Sequence, residues 1–358
     1  MIHLKNREMD IEYLIPIVSA EKPRLLKQEK LVSLTKLSSI EEFVNELKDL
    51  KYNNLIEYYK PESIESIEFV LKEYLISLYI KFLKSSPLFI SNYIYQEFLK
   101  FEMDNLKKLY RAKILNYSYS EIDSLIHHSI EKFLNHEKNF ERLMHASSLL
   151  DLINSITFGN YKNDLQQAFH IYEESKSIYM FDVFLDLDYF KNLIIECKNL
   201  KNNYDKNFVL NYLKLIINGY NVLAIFRTKK LNLKAHQIYR FMIYDPNITN
   251  EILLENLINS KSYDINRDLG IINKIFKSNL NINEVDSLDK LYYILMRKKY
   301  KFFVNSLSLS KLRLYNISYP LAVLKLTEYE INNLIIILNG INLKMTPSDI
   351  KNNLILNE

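Results

Sequence analysis

Apolar positions recur every three to four residues along most of this chain, the period of an α-helix. One version of the pattern is written three times. FEMDNLKKLYRAK (101–113), INGYNVLAIFRTK (217–229) and YEINNLIIILNGI (329–341) each carry an asparagine inside an apolar stripe, at Asn105, Asn221 and Asn333. At about 100° per residue, Phe101, Ile217 and Tyr329, four before the asparagine, lie near −40°. Leu106, Val222 and Leu334 follow near 100°, Leu109, Ile225 and Ile337 near 40°, and Tyr110, Phe226 and Leu338 near 140°, on the same rough count. A stripe of about half the circumference is wide for a surface helix and predicts three mostly buried ones.

A buried amide left without partners costs roughly 1–3 kcal/mol. Each asparagine is therefore expected to bond a neighbouring backbone group and fix its register, the alternative being recognition of a partner. Arg111 and Arg227 come six residues later, near −120° and off the stripe on that rough count. They either pair with a carboxylate or face a partner; the third copy has Asn339 there.

Shorter amphipathic stretches run through SIEEFVNELKDLKY (39–52), SSLLDLINSITFGNY (147–161) and TNEILLENLINSKSY (249–263), ending in Tyr52, Tyr161 and Tyr263. Each precedes one asparagine helix. The asparagines stand 116 and 112 residues apart, a domain-sized period rather than that of a solenoid. The reading is all-α, with three homologous helical lobes over 1–118, 119–235 and 236–358. Helix starts are expected at Ser86-Pro87, at Asp205 and at the box-like Thr327–Glu330 and Thr346–Asp349, and a stop at Gly340. Arg111, Lys113, Arg227, Lys229 and Lys230 gather where helix dipoles are negative.

Composition agrees. Among 358 residues there are only 4 glycines and 7 prolines, too few for sheets joined by tight turns. Charge is nearly balanced at +4. Cys197 is the only cysteine and cannot form an internal disulfide. MIHLKNREMD is polar and lacks a signal pattern. The longest aliphatic run, LIIIL (334–338), is far short of the roughly 18 residues of a membrane span.

Candidate chemistry is thin. Glycines at 159, 219, 270 and 340 cannot form a phosphate loop. His127, His128, His136 and His145 are expected on one helix over 120–150, but Phe140 stands where a helical zinc site needs its second histidine. Asp182, Asp186 and Asp188 lack the calcium-loop pattern and are expected at a solvated loop or helix start. No catalytic, cofactor-binding or metal-binding residue is expected. The basic runs RTKKLNLK (227–234) and MRKKYKFF (296–303), the second with aromatics that could stack on bases, leave nucleic-acid binding by a helical scaffold as the alternative.

Three copies of an Asn-Leu-like turn, two followed by Arg, resemble the central-stalk subunit of rotary V/A-type ATPases, a family with archaeal, bacterial and eukaryotic members. SSPLFISNYIYQEFLKFEMDNLKKLYRAK resembles its first lobe, NREMDIEYLIPIVSAEKPRLLK its opening helix and YPLAVLKLTEYEINNLIIILNGINLKMTPSDIKNNL its end. The departures are Val222 for Leu and Asn339 for Arg. The resemblance implies a pseudo-threefold funnel without an active site, cofactor or small-molecule substrate. It implies a peripheral place on the cytoplasmic face of a membrane. The implied partners are the central shaft subunits and the rotor ring of proteolipid subunits, with no nucleic acid.

Overall fold

The structure is a computed structural model that describes residues 10–230, 232–260, 265–281, 285, 287–309 and 314–357. The described residues form nineteen α-helices and two short 3-10 turns, with no strand among them. The all-α expectation holds. Two compact units result: residues up to Ile94 join those from Tyr300 onward, and Tyr95–Lys299 form the other.

The first unit is built on Ser318–Asn342, which carries Asn333 and packs against Ile64–Ser85 and Ile11–Glu21. This helix is apolar almost all round, and nineteen of its 25 residues are buried, as a central helix requires. The second unit packs Tyr161–Ser175 against Tyr179–Asn199, with Asn203–Lys230 and Ile265–Phe276 alongside. Asn203–Lys230 is the one described helix long and apolar enough to cross a membrane, but 72% of its most apolar window is buried within the fold. Its hydrophobicity therefore serves a core, with Val222, Ile225 and Phe226 at 0–1% exposure.

The three asparagine helices are Leu88–Ile114, Asn203–Lys230 and Ser318–Asn342. All three end alike. Eleven residues after each asparagine stands a left-handed residue, Asn116, Asn232 or Lys344, with φ of 57°, 56° and 53°. The next amide then reaches back to a helix carbonyl: Tyr117 to Ala112, Leu233 to Thr228, Met345 to Gly340. This closes the helix by satisfying a carbonyl that would otherwise be orphaned.

Several expected boundaries move. Gly340 does not stop its helix, which runs on to Asn342; instead its missing Cβ makes room for the side chain of Ile350. A methyl there would lie 2.5 Å from Ile350 Cγ1, so Gly340→Ala should cost about 1–3 kcal/mol, read by urea unfolding. Thr327 lies inside the same helix and its hydroxyl donates to Val323 O, because Pro320 already sits in the first turn, where no amide partner is needed. Asp205 falls within the first turn of a helix that begins at Asn203. Ser86 donates to Phe82 O of the preceding helix. Thr346 does cap as expected, accepting from Asp349 N at 3.2 Å.

The single histidine helix is instead four short ones, Tyr119–Leu125, His128–Leu134, Glu137–Met144 and Leu149–Ser155. Left-handed Asn135 ends the second of these and Ser148 caps the fourth. Asp182, Asp186 and Asp188 all lie within the helix Tyr179–Asn199, not in a loop.

Candidate functional site

The three asparagines make the same bonds. Asn105, Asn221 and Asn333 are 0–1% exposed. Each amide oxygen accepts from the backbone N–H of the residue 22 positions on: His127 at 3.1 Å, Ile243 at 2.9 Å and Ile355 at 2.7 Å. Each amide nitrogen donates to the carbonyl of that same residue, at 3.2, 2.9 and 2.9 Å. A side-chain amide thus pairs with the backbone N–H and C=O of one residue, as a residue on a neighbouring strand would. It clamps the chain that returns after the helix. The neighbours Leu106, Val222 and Leu334 are buried beside it, so valine serves as well as leucine.

Between asparagine and clamped residue the register repeats as well. The left-handed residue is followed two positions later by the start of a short helix, at Ser118, Lys234 and Thr346. The third residue on, Glu121, Gln237 or Asp349, completes the cap. These bonds tie Asn105 to His127 and Asn221 to Ile243, across the sequence borders drawn at 118 and 235.

The tyrosines follow a different pairing from the one their sequence order suggests. Tyr161 donates to Glu102 on the preceding asparagine helix at 3.0 Å, and Tyr52 donates to Glu330 on the last one at 2.6 Å. Both acids stand three residues before their asparagine. The second helix has Asn218 there, donating to Ile248 O; Tyr263 lies outside the described residues. Glu330 is surrounded by donors: besides Tyr52 it accepts from Lys51 Nζ at 3.0 Å and Leu26 N at 2.8 Å.

Burial, followed by the nearby carboxylates, pushes the hydroxyls of Tyr52, Tyr161 and Tyr220 well above the usual tyrosine range. Unfolded, they ionise near pH 10. Above that pH the native state holds more protons than the unfolded one, so stability that is full below about pH 10 falls as pH rises. The slope approaches about 1.4 kcal/mol per pH unit for each tyrosine. The part of the tyrosinate absorbance that comes from these buried residues, clear of tryptophan because the chain has none, should rise together with unfolding, on top of the signal of exposed tyrosines such as Tyr13 and Tyr58.

The arginines find partners on one helix. Arg111 donates to Asp182 Oδ2 at 2.6 Å, and Tyr110 donates to the other oxygen of the same carboxylate. Lys107 pairs with Asp186 at 2.6 Å. Arg227 bonds the hydroxyl of Tyr179, on that helix too, and helps to hold its pKa down against burial. Asn339, where the third copy lacks arginine, donates to Glu68 at 2.9 Å. So the three acids of the aspartate cluster do not stand as an open cation site: Asp182 and Asp186 meet cations, and Asp188 accepts from Asn192.

Lys113 and Lys229, eight residues after their asparagines, reach neighbouring helices. Lys113 donates to Met144 O and Lys229 to Leu257 O, both at 2.6 Å, at helix C-termini where a cation is favoured. This draws Lys229 of the first basic run into the fold, while Arg227, Lys230 and Lys234 stay exposed. In the second, Lys298 lies over the Phe276 ring and Arg297 over Tyr293, while Phe303 is fully buried. The aromatics that could have stacked on bases are largely engaged in packing. Cys197 is buried, and burial pushes its thiol up to about 11, which leaves little thiolate at neutral pH.

Glu102, Glu131 and His136 are brought together from three separate elements, with a donor atom of each within 4.8 Å of the others. Burial, with Glu102 adding to it, raises the Glu131 carboxyl to about 9.

A comparison with curated protein sequences gives no match. The sequence model of the ATP synthase (C/AC39) subunit matches residues 14–353. That span takes in all three asparagine helices and two of the three residues they clamp, His127 and Ile243. With an all-helical fold and nearly the full length matched, the chain belongs to the ATP synthase (C/AC39) subunit family of V/A-type ATPases.

Proposed function

We propose that this chain is a non-catalytic rotor subunit, a socket that joins the central shaft of a V/A-type ATPase or ATP synthase to the membrane rotor ring. Torque would pass through it during ion-coupled ATP synthesis or hydrolysis. The observation that carries this reading is the threefold clamp, within a chain whose family match is nearly complete. A torque adapter must resist bending. Each asparagine pins the chain that returns after its helix, and only 4 glycines occur in 358 residues, so few hinges are built in.

Three related lobes would form a funnel, with the borders at 118 and 235 moved beyond His127 and Ile243 so that each clamp stays within a lobe. The funnel would sit peripherally on the cytoplasmic face, taking the shaft subunits on one side and the proteolipid ring on the other. Exposed apolar residues recur at one register: Leu115 and Leu343, ten residues after their asparagines, are 59% and 70% exposed. Such residues, singly exposed at helix ends, suit contact with a partner.

The test is a pull-down from native membranes. Shaft and ring proteins should co-purify with the chain, and the purified chain should hydrolyse no ATP. A double Leu115→Ser, Leu343→Ser variant should keep its melting within about 0.5 kcal/mol per site, as surface changes do, while losing these partners. Arg111→Ala and Arg227→Ala should be similarly mild on folding, and a loss of partners would add the arginines to the contact. Recovery of neither shaft nor ring would overturn the reading. Tight nucleic-acid binding with a steep fall in salt would replace it with the scaffold alternative.

A further inference from the structure

Glu102, on the first asparagine helix, and Glu330, on the third, are equivalent buried acids, 1% and 4% exposed. The third copy balances its charge with Lys51, 2.9 Å away. The second copy removes the charge, having Asn218. The first copy does neither. It sets His136 Nδ1 2.5 Å from Glu102 Oε1 and then adds a second buried acid, Glu131, 1% exposed. Two carboxylates face one imidazole.

The outer oxygens are fixed from behind. Tyr161 donates to Glu102 Oε2 at 3.0 Å, and Asn105 Nδ2 donates to Glu131 Oε1 at 3.1 Å. That is the arrangement by which a second shell orients ligands. It leaves Glu102 Oε1, His136 Nδ1 and Glu131 Oε2, of which Glu131 Oε2 is buried and has no hydrogen-bond partner.

We propose that Glu102, Glu131 and His136 bind a divalent transition-metal ion of the zinc class through two carboxylate oxygens and one imidazole nitrogen. Mixed oxygen and nitrogen donors in this number suit such ions, whereas calcium and magnesium take about six or more oxygens. Ligands of a tetrahedral ion lie about 3.5 Å apart, so donors within 4.8 Å need only a small carboxylate rotation. His136, 23% exposed, gives the ion a way in. The expectation of no metal site considered one helix face; these donors come from the first asparagine helix, from His128–Leu134 and from the residue before Glu137–Met144. The ion would join these elements beside the clamp at His127, a structural link rather than a reactive centre.

The test uses the full chain, stripped with chelator and titrated with Zn²⁺ by calorimetry and with Co²⁺ by visible absorption. One equivalent should bind, with a rise in melting temperature. Glu131→Gln, which keeps the shape, and His136→Gln should each weaken binding at least about tenfold, the least a supporting shell alone commands. His128→Ala should bind as the parent does; His128 faces Asp123 at 2.9 Å on the surface and is the natural place for stray metal. Binding of less than a tenth of an equivalent would overturn the proposal. So would binding that survives Glu131→Gln, or binding lost with His128→Ala. If His136→Gln fails to fold, the isosteric Glu131→Gln still decides.

Discussion

Asn105→Leu should lower the stability of its unit by about 2–6 kcal/mol, because it takes the acceptor from the His127 N–H and the donor from Glu131 Oε1, two buried groups at roughly 1–3 kcal/mol each. Leucine fills nearly the same space, so the loss is of bonds rather than of volume. The His127 N–H would be left facing a methyl group inside the core, while the His127 C=O would keep the Ile130 N–H. Asn221→Leu and Asn333→Leu should act alike on Ile243 and Ile355. There the amide bonds both the N–H and the C=O of the clamped residue, so the three losses should be of similar size. Chemical denaturation gives the size of the effect. Amide hydrogen exchange gives its place: the His127, Ile243 and Ile355 amides should each lose protection in their own variant and not in the other two. Unchanged melting in all three would mean that the clamp contributes nothing to stability.

Lys51→Met should cost about 3–5 kcal/mol, the usual effect of removing one partner of a buried ion pair. Lys51 and Glu330 are each 4% exposed. Without the ammonium, Glu330 keeps only Tyr52 and Leu26 N as donors for a full negative charge. The double variant Lys51→Met, Glu330→Gln should regain most of the loss, because neutral groups of similar volume carry no such penalty. A double-mutant cycle in urea reads the coupling directly. Additive losses would show that the two charges do not depend on each other.

Helix class and the buried asparagines were legible in the sequence because both follow from period and polarity. A polar residue in the same place on three apolar stripes has few explanations other than a bonded amide. The partner of that amide was not legible. It is the backbone N–H and C=O of one residue, and no single side-chain type marks it: His127 in the first copy, isoleucine at 243 and 355 in the others. The common spacing of 22 was visible only once the bonds were known, although Ser118 with Glu121 and Thr346 with Asp349 offered a capping pattern at matching positions. Gly340 and Thr327 misled for one reason: each is a common terminus residue used inside a helix, one for close packing and one for bonding back to a carbonyl. The tyrosine pairing was hidden because the residues that meet are 278 and 59 positions apart. The cluster of Glu102, Glu131 and His136 escaped because its donors share no helix face.

Tyr52 and Lys51 must await Glu330, which follows Tyr52 by 278 residues. At a ribosomal rate of roughly 5–20 residues per second, that interval is about 15–55 s. The early segment therefore leaves the ribosome as an incomplete half, with a buried-type lysine and tyrosine still in water, while Tyr95–Lys299 can close on itself before synthesis ends. During that interval the newborn chain is most exposed to proteases and in most need of a chaperone.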